Sequence, residues 1–498
     1  MQCHARVIED RVPVRTGWNK VWLLGLLVGT CGCDAIAPWL THSNPTAMCT
    51  GEHQAALELP APREESLLDL NTSLQLANAG NPTIALAEEA VRESLAEQLQ
   101  ARALLLPMIN AGLNVHVHRG NIETAEGIIT SEDTQSLYGG LGAGVTGGGT
   151  VLVPGVHLVS HLADAIYAPR VAQRQVDASS FDAVATRQQI LSEVGQAYLT
   201  LVSAKARSEA YRQSLKELDE VVRLTANFAK TGQGRDSDAQ RALAEGQLLR
   251  ADLQQANEDK ATAAAELARL LDLDPSQRLL TNDDAPPLVE LVDPGLTLEQ
   301  LLTIALEQHP ELAARSAVVA REEARLRRER VRPWLPAVSV GFSAGEFGGG
   351  SQHAEPHLGN FQPRTDFDVL AVWSLQNLTA GNHALQNRVR AQLGQALAER
   401  QIVLDRIRRE VTESYTSVQT RRIQLDLARK RVDTAQRAYR QDLTRAQNIQ
   451  GRIVEVLDSV HLLTSARQDV IRAMAQYSQA QLLLTTALGN SVATLIAK

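Results

Sequence analysis

The chain repeats itself, and the repeat limits its possible folds more than any single motif does. Glu193-Val194 followed by Tyr198 recurs as Glu410-Val411 followed by Tyr415, an offset of 217 positions. The same offset carries Asp238 onto Glu455, Ala242 onto Ser459 and Leu270-Leu271 onto Ala487-Leu488 without a gap. Upstream, Leu68 to Pro82 (LDLNTSLQLANAGNP) matches Leu296 to Pro310 (LTLEQLLTIALEQHP) at an offset of 228. Each copy then runs on helically to a Leu-Pro pair, Leu106-Pro107 or Leu335-Pro336. Two tandem halves are expected, 66–275 and 294–490, joined by a Pro- and Asp-containing connector at 276–293 and followed by a tail at 491–498.

Within each half the apolar period changes twice. After Pro107, Ile109, Ala111, Leu113, Val115 and Val117 alternate with Asn110, Asn114, His116 and His118, which predicts a strand at about 107–119 with one apolar face. A Gly-rich tract, Gly139 to Gly149, and a returning segment at about 150–163 are expected to supply its partner strand. Glu123 to Gln135 reads as a surface loop. The second half repeats the pattern with strands at about 336–346 and 366–376. The rest is rich in Ala, Leu, Gln, Arg and Glu with only 4% aromatic residues, a composition suited to long helices. Helices are predicted at about 178–230 and 237–271, then 384–445 and 453–488, turning at Thr231-Gly232-Gln233-Gly234 and at Gln447 to Gly451. Such lengths pack as coiled coils, so the fold class is mainly α with a β part: two strand pairs, each with a long helical hairpin.

Four strands cannot close a barrel, and open edges are not tolerated in hydrocarbon. Several copies must contribute, and three supply twelve strands, an even number within the range of outer-membrane barrels. The other reading of these strands is a soluble β-subdomain with one buried face. No apolar run reaches the roughly 18 residues of a spanning helix, so any insertion must use strands. At the N-terminus, Arg6, Arg11, Arg15 and Lys20 precede a short apolar core, Val21 to Val28, which reads as a signal peptide over 1–32. Cys31 and Cys33 follow at once, suggesting a lipidated cysteine. Gly32 before Cys33 favours that position, with Cys31 or an ordinary cleaved signal as alternatives. Residues 33–65 then form a tether, and Cys49 is free or paired depending on where cleavage falls.

Taken together, the helices running to Leu-Pro, the Glu-Val-x-x-x-Tyr pair, and the turns followed by Asp238 and by Glu455-Val456-Leu457-Asp458 resemble the TolC family of outer-membrane efflux proteins over nearly the whole mature chain. The resemblance implies a lipid-anchored homotrimer in the outer membrane: a twelve-stranded β-barrel continuous with a periplasmic α-barrel. It further implies docking to an inner-membrane pump through a periplasmic adaptor, and passive export in an efflux or type I secretion system. Glu455 and Asp458 take the positions of the family's acidic periplasmic gate. The other reading of these two acids is stabilisation of a helix start by the helix dipole. The tip turns carry Gly232, Asp238 and Arg452, with Arg445 or Arg452 as candidates for a hydrogen-bonded lock.

Other classes find little support. A net charge of −8 with dispersed Lys and Arg leaves no basic stripe for nucleic acid. His116 with His118, His157 with His161, and Cys49 with His53 lack the further ligands or orienting carboxylate that a metal or nucleophile site needs, so neither an enzyme nor a cofactor is expected. A periplasmic adaptor also uses a long helical hairpin, but only one, whereas this chain has two in tandem.

Overall fold

The computed structural model describes residues 66–145, 149–274, 279–448, 450 and 452–492. The signal peptide, Cys31, Cys33, Cys49, His53 and the tether therefore lie outside the described residues, as does most of the tail. Each half opens with a short helix pair, α1 (Leu70–Gly80) with α2 (Pro82–Ala103), and α5 (Leu298–Gln308) with α6 (Pro310–Val331). Asn81 starts α2 by accepting from the Thr83 and Ile84 amides, and its Nδ2 donates to Leu270 O at 2.8 Å. That bond ties the beginning of the half to its end. His309 occupies the same place before α6 without a side-chain cap, and burial pushes its imidazole below its usual range.

The strands are β1 (Ser66–Leu68), β2 (Met108–Ile109), β3 (Ala111–Glu123), β4 (Ile129–Ala143), β5 (Val153–Pro154), β6 (Val156–His161), β7 (Leu279–Thr281), β8 (Ala337–Ser351) and β9 (Gly359–Val372). β1 and β7 form a small parallel pair. The others form one antiparallel sheet in which β8 is central. It pairs with β9 on one side; on the other, its first part pairs with β6 and its second with β4. β4 and β6 thus lie end to end along β8, so the sheet is four strands wide, with β3 and β9 at its edges.

The structure corrects the expectation for the first strand pair. The partner of β3 is β4, not the segment at 150–163, and β4 includes residues 129–135, which read as loop in the sequence. Only Thr124 to Ile128 turn between the two strands, closed by the Thr124 N–H bond to Ile128 O at 2.9 Å. β6 instead continues the line of β4 along β8, and the short β5 pairs antiparallel with the end of β4. Leu113, Val115, Phe342, Phe367 and Val369 share one face, exposed in the single chain. Asn114, His116, Ser136 and Ser343 occupy the other.

Four long helices follow the strands: α3 (Leu162–Lys230), α4 (Asp236–Leu270), α7 (Ala380–Gln447) and α8 (Ile453–Ala487). α3 begins directly at the end of β6, sixteen residues before the expected start, because His161 Nδ1 accepts the Ala163 N–H at 3.2 Å and caps it. Pro169 falls early in α3 and leaves it unbroken. At 69 and 68 residues, α3 and α7 each extend about 100 Å. Helices this long have no globular interior to enter, so they bury narrow apolar seams against one another.

Three apolar clusters follow along the helices. One joins α1, α3 and α4 around Leu74, Leu191, Leu199 and Leu267; a second joins α5, α7 and α8 around Leu301, Ile407 and Leu484. The third, toward the hairpin turns, is shared by both halves. The repeated tyrosines sit differently. Tyr198 is fully buried and donates to Asp283 at 2.7 Å; burial first, and that bond second, push its phenol far above the usual range. Tyr415 is only partly buried against the second cluster. The connector crosses α8, where Ser478 Oγ accepts from the Val289 amide and donates to Pro287 O.

Candidate channel entrance

The two helix turns, α3 to α4 and α7 to α8, close on the third cluster. Leu218, Val221, Ala242, Ala435, Tyr439, Ala446, Val456, Leu457 and Val460 make its core. In the opening motif of α8, Val456 and Leu457 point into that core. Glu455 and Asp458, three residues apart on the helix, are left together on the exposed side. Among the described residues neither carboxylate has a cationic partner. The apolar pair anchors the helix and the acidic pair is held outward, so a single heptad-like seam fixes both. Leu462, Ser465 and Arg472 continue the exposed side along α8.

The other named residues are placed as follows. Gly232 ends α3 with φ +74°, and nothing lies near where its Cβ would be, so the left-handed backbone is its reason for being glycine. Asn448, the expected counterpart after α7, has φ −89°, and that turn does not use the left-handed region there. Arg452 is the residue before α8, extended and without a side-chain cap. Among the described residues neither it nor Arg445 bonds to another side chain. Asp238 lies in the first turn of α4 beside Asp236 and is half-buried, unlike its counterpart Glu455. Of the two acids, Glu455 alone lies in the first turn of α8, so helix-dipole stabilisation does not extend to Asp458.

The bonds joining the two hairpins are not visible in the sequence. Arg467 of α8 grips Glu217 of α3 through both guanidinium nitrogens at 2.7 and 2.8 Å, and the pair is largely shielded from solvent. Tyr439 packs beside them, its phenol pushed up to about 12 by burial and then by Glu217 and Glu220. His461 of α8 meets Glu245 of α4 at 2.7 Å, and Gln468 exchanges hydrogen bonds with Arg207 of α3. An arginine within a helix reads as solvated unless its partner helix is known, which is why these contacts leave no signal. The histidine pairs of the strands gather no further ligands: among the described residues no group of three or more His, Cys, Asp or Glu is arranged to hold a metal ion. Nor, among the described residues, is any helix long and apolar enough to cross a membrane.

This architecture, a four-stranded sheet carrying two long helical hairpins, is that of TolC-like outer-membrane channels. Residues 301–490 match the family described as outer membrane efflux protein. The fold is similar to a membrane protein from Pseudomonas aeruginosa, with a TM-score of 0.71 and 21% identity over 85% of this chain and 93% of that one. It is also similar to the outer membrane protein VceC of Vibrio cholerae (TM-score 0.65, 16% identity, 85% and 96% of the two chains). The MtrE outer membrane channel of Neisseria gonorrhoeae, in its open state, gives a TM-score of 0.61 at 16% identity over 85% and 89%. No curated protein matches the chain. Residues 301–490 thus match the outer membrane efflux protein family, within a chain whose fold is similar to that of those channels. The adaptor alternative is not favoured by a likeness to channels that spans both hairpins.

Proposed function

We propose that this chain is the channel subunit of a tripartite efflux or type I secretion system, a passive trimeric duct across the periplasm and outer membrane. The observation that carries this is the sheet: four strands wide, open at both edges, with an exposed apolar face. Unpaired edges are costly in lipid, and three copies placed edge to edge leave none. The helical hairpins would then form a second barrel beneath, and the repeats 66–275 and 294–490 would supply equivalent parts of its wall. A periplasmic adaptor and an inner-membrane pump would engage its far end, and no covalent chemistry is required. The test is the mass of the detergent-solubilised oligomer. Three protomers are expected, and a stable monomer or dimer would refute the shared barrel.

The lipid anchor is the second part of the proposal, supported by the apolar N-terminal segment and Gly32-Cys33. Replacing Cys33 by Ser should abolish incorporation of labelled fatty acid. Undiminished labelling would move the anchor to Cys31. The third part is that Glu455 and Asp458 ring the closed entrance, so that three copies set six carboxylates around one constriction.

A further inference from the structure

The apolar face of the sheet ends at one level, and three neighbouring helices change character there in the same way. Trp373 continues the face of Phe367, Val369 and Ala371, and its Nε1–H donates to Trp334 O at 3.3 Å. Both indoles are exposed, Trp334 at 79%. Helical spacing carries the face of Trp334 back, away from the sheet, to Arg330 and Arg327, both exposed. Just past the end of α2 the exposed leucines 104–106 are nearer the sheet, and Arg102, in the last turn of α2, lies two to four residues farther from it. On α3 the exposed Ile166 is nearer the sheet and Arg170 one turn farther. α2 and α6 run toward the sheet and α3 runs away from it, so the order apolar then arginine does not follow chain direction. It follows depth.

Between these three helices lies an open cavity of about 720 Å³, lined by Arg102, Arg170, Arg174 and Arg327 against only two carboxylates, Asp177 and Glu323. Arg174 is paired with Asp177 at 3.0 Å and Arg327 loosely with Glu323 at 3.7 Å. Arg170 lies over the Tyr167 ring at 5.3 Å. Arg102, Arg170 and Arg330 have no carboxylate partner among the described residues. Arg327 sits seven residues from Trp334, about 10 Å along the chain axis, a distance that spans the roughly 5–8 Å headgroup layer outside a hydrocarbon edge. Arginine forks match phosphate oxygens, and tryptophan marks the interface above them.

We propose that this collar seats the phosphates of anionic phospholipids in the leaflet facing the helices, with the cavity between α2, α3 and α6 as its principal seat. The inference rests on the sheet crossing the membrane. The test reconstitutes the full chain into nanodiscs of phosphatidylcholine with a minor fraction of phosphatidylglycerol and measures the lipid retained per oligomer by native mass spectrometry. The wild type should enrich phosphatidylglycerol. Each basic residue near an anionic surface is worth about fivefold, so the Arg102→Gln, Arg170→Gln, Arg327→Gln triple should lose roughly tenfold or more of that enrichment. Lysine at the same three positions should keep much of it, and glutamine at Arg408, Arg409 and Arg437, remote and exposed on α7, should keep all of it. Equal enrichment by wild type and the glutamine triple would overturn the collar. Loss of enrichment on adding millimolar inorganic phosphate would overturn it in favour of a soluble-anion site. Failure to insert into phosphatidylcholine alone would instead refute the membrane-spanning sheet; an inserted trimer without enrichment would refute only the collar.

Discussion

Replacing Gly345 by Val should leave almost no assembled oligomer in the membrane fraction. Gly345 of β8 lies opposite Gly140 of β4, where the two halves of the chain meet. A Cβ at Gly345 would stand 2.5 Å from Gly139 O and 2.9 Å from the Tyr138 hydroxyl, which is itself held by Leu141 O. A Cβ at Gly140 would stand 2.5 Å from the Gly345 Cα. Backbone cannot retreat from these contacts without breaking the ladder between the halves. Overpacking of this kind costs about 3 kcal/mol or more when no flexible side chain can yield. Gly394→Ala is the contrasting change: in α7, with nothing near its Cβ, it should be neutral or stabilising by about 0.4–1 kcal/mol. Recovery of folded oligomer in both variants, measured by heat-dependent mobility on gels, would mean that β4 and β8 do not approach so closely.

The second large effect is expected at the proposed entrance. With Glu455→Gln and Asp458→Asn together, single-channel cation selectivity and block by multivalent cations should fall strongly, because the charge attracting cations to the constriction is gone. A helix-start role predicts something else, a loss of about 1 kcal/mol or less in stability with conductance unchanged. The two readings separate at Asp458, which lies beyond the first turn of α8, where the dipole has little reach. Asp458→Asn alone should therefore lower selectivity if the acids form a gate. Asp238→Asn, the half-buried counterpart in α4, should do little in either case. Bilayer recordings in which all three variants behave like the wild type would remove Glu455 and Asp458 from the entrance.

Much of this architecture is legible in the amino-acid sequence, because a repeat supplies two observations of each element. The turn at Gly232, the start of α8 and the strands of the second half all declare themselves through changes of apolar period. The first strand pair does not, for a physical reason. β4 alternates only over its last part, where Leu137 and Leu141 share the apolar face. Its earlier residues, Ser131 to Gln135, are polar on both faces and carry no strand signal. Residues 144–155 then separate β4 from β6, so one line along β8 comes from two stretches of sequence. At the proposed entrance, the choice of Glu455 and Asp458 rests on their spacing and on the family resemblance, and the structure adds that both lie on the exposed side of α8. The Arg467–Glu217 and His461–Glu245 contacts depend on how two hairpins lie side by side, which neither hairpin's sequence states.

The central position of β8 has a consequence for biogenesis. Its bonds to the first half join residues 188 positions apart at Gly155 and Ser343, while the adjoining Gln352 reaches back 221 positions to Ser131. The β3–β4 hairpin is complete early, but the strand it must lie against is made only after more than half the chain has emerged. Loop closure over such a span is entropically costly and slow, and the β4 edge of the hairpin stays unpaired meanwhile. A chain of this design depends on being kept from aggregating until β8 arrives, and its yield in a cell should be governed by that waiting time more than by the stability of the finished sheet.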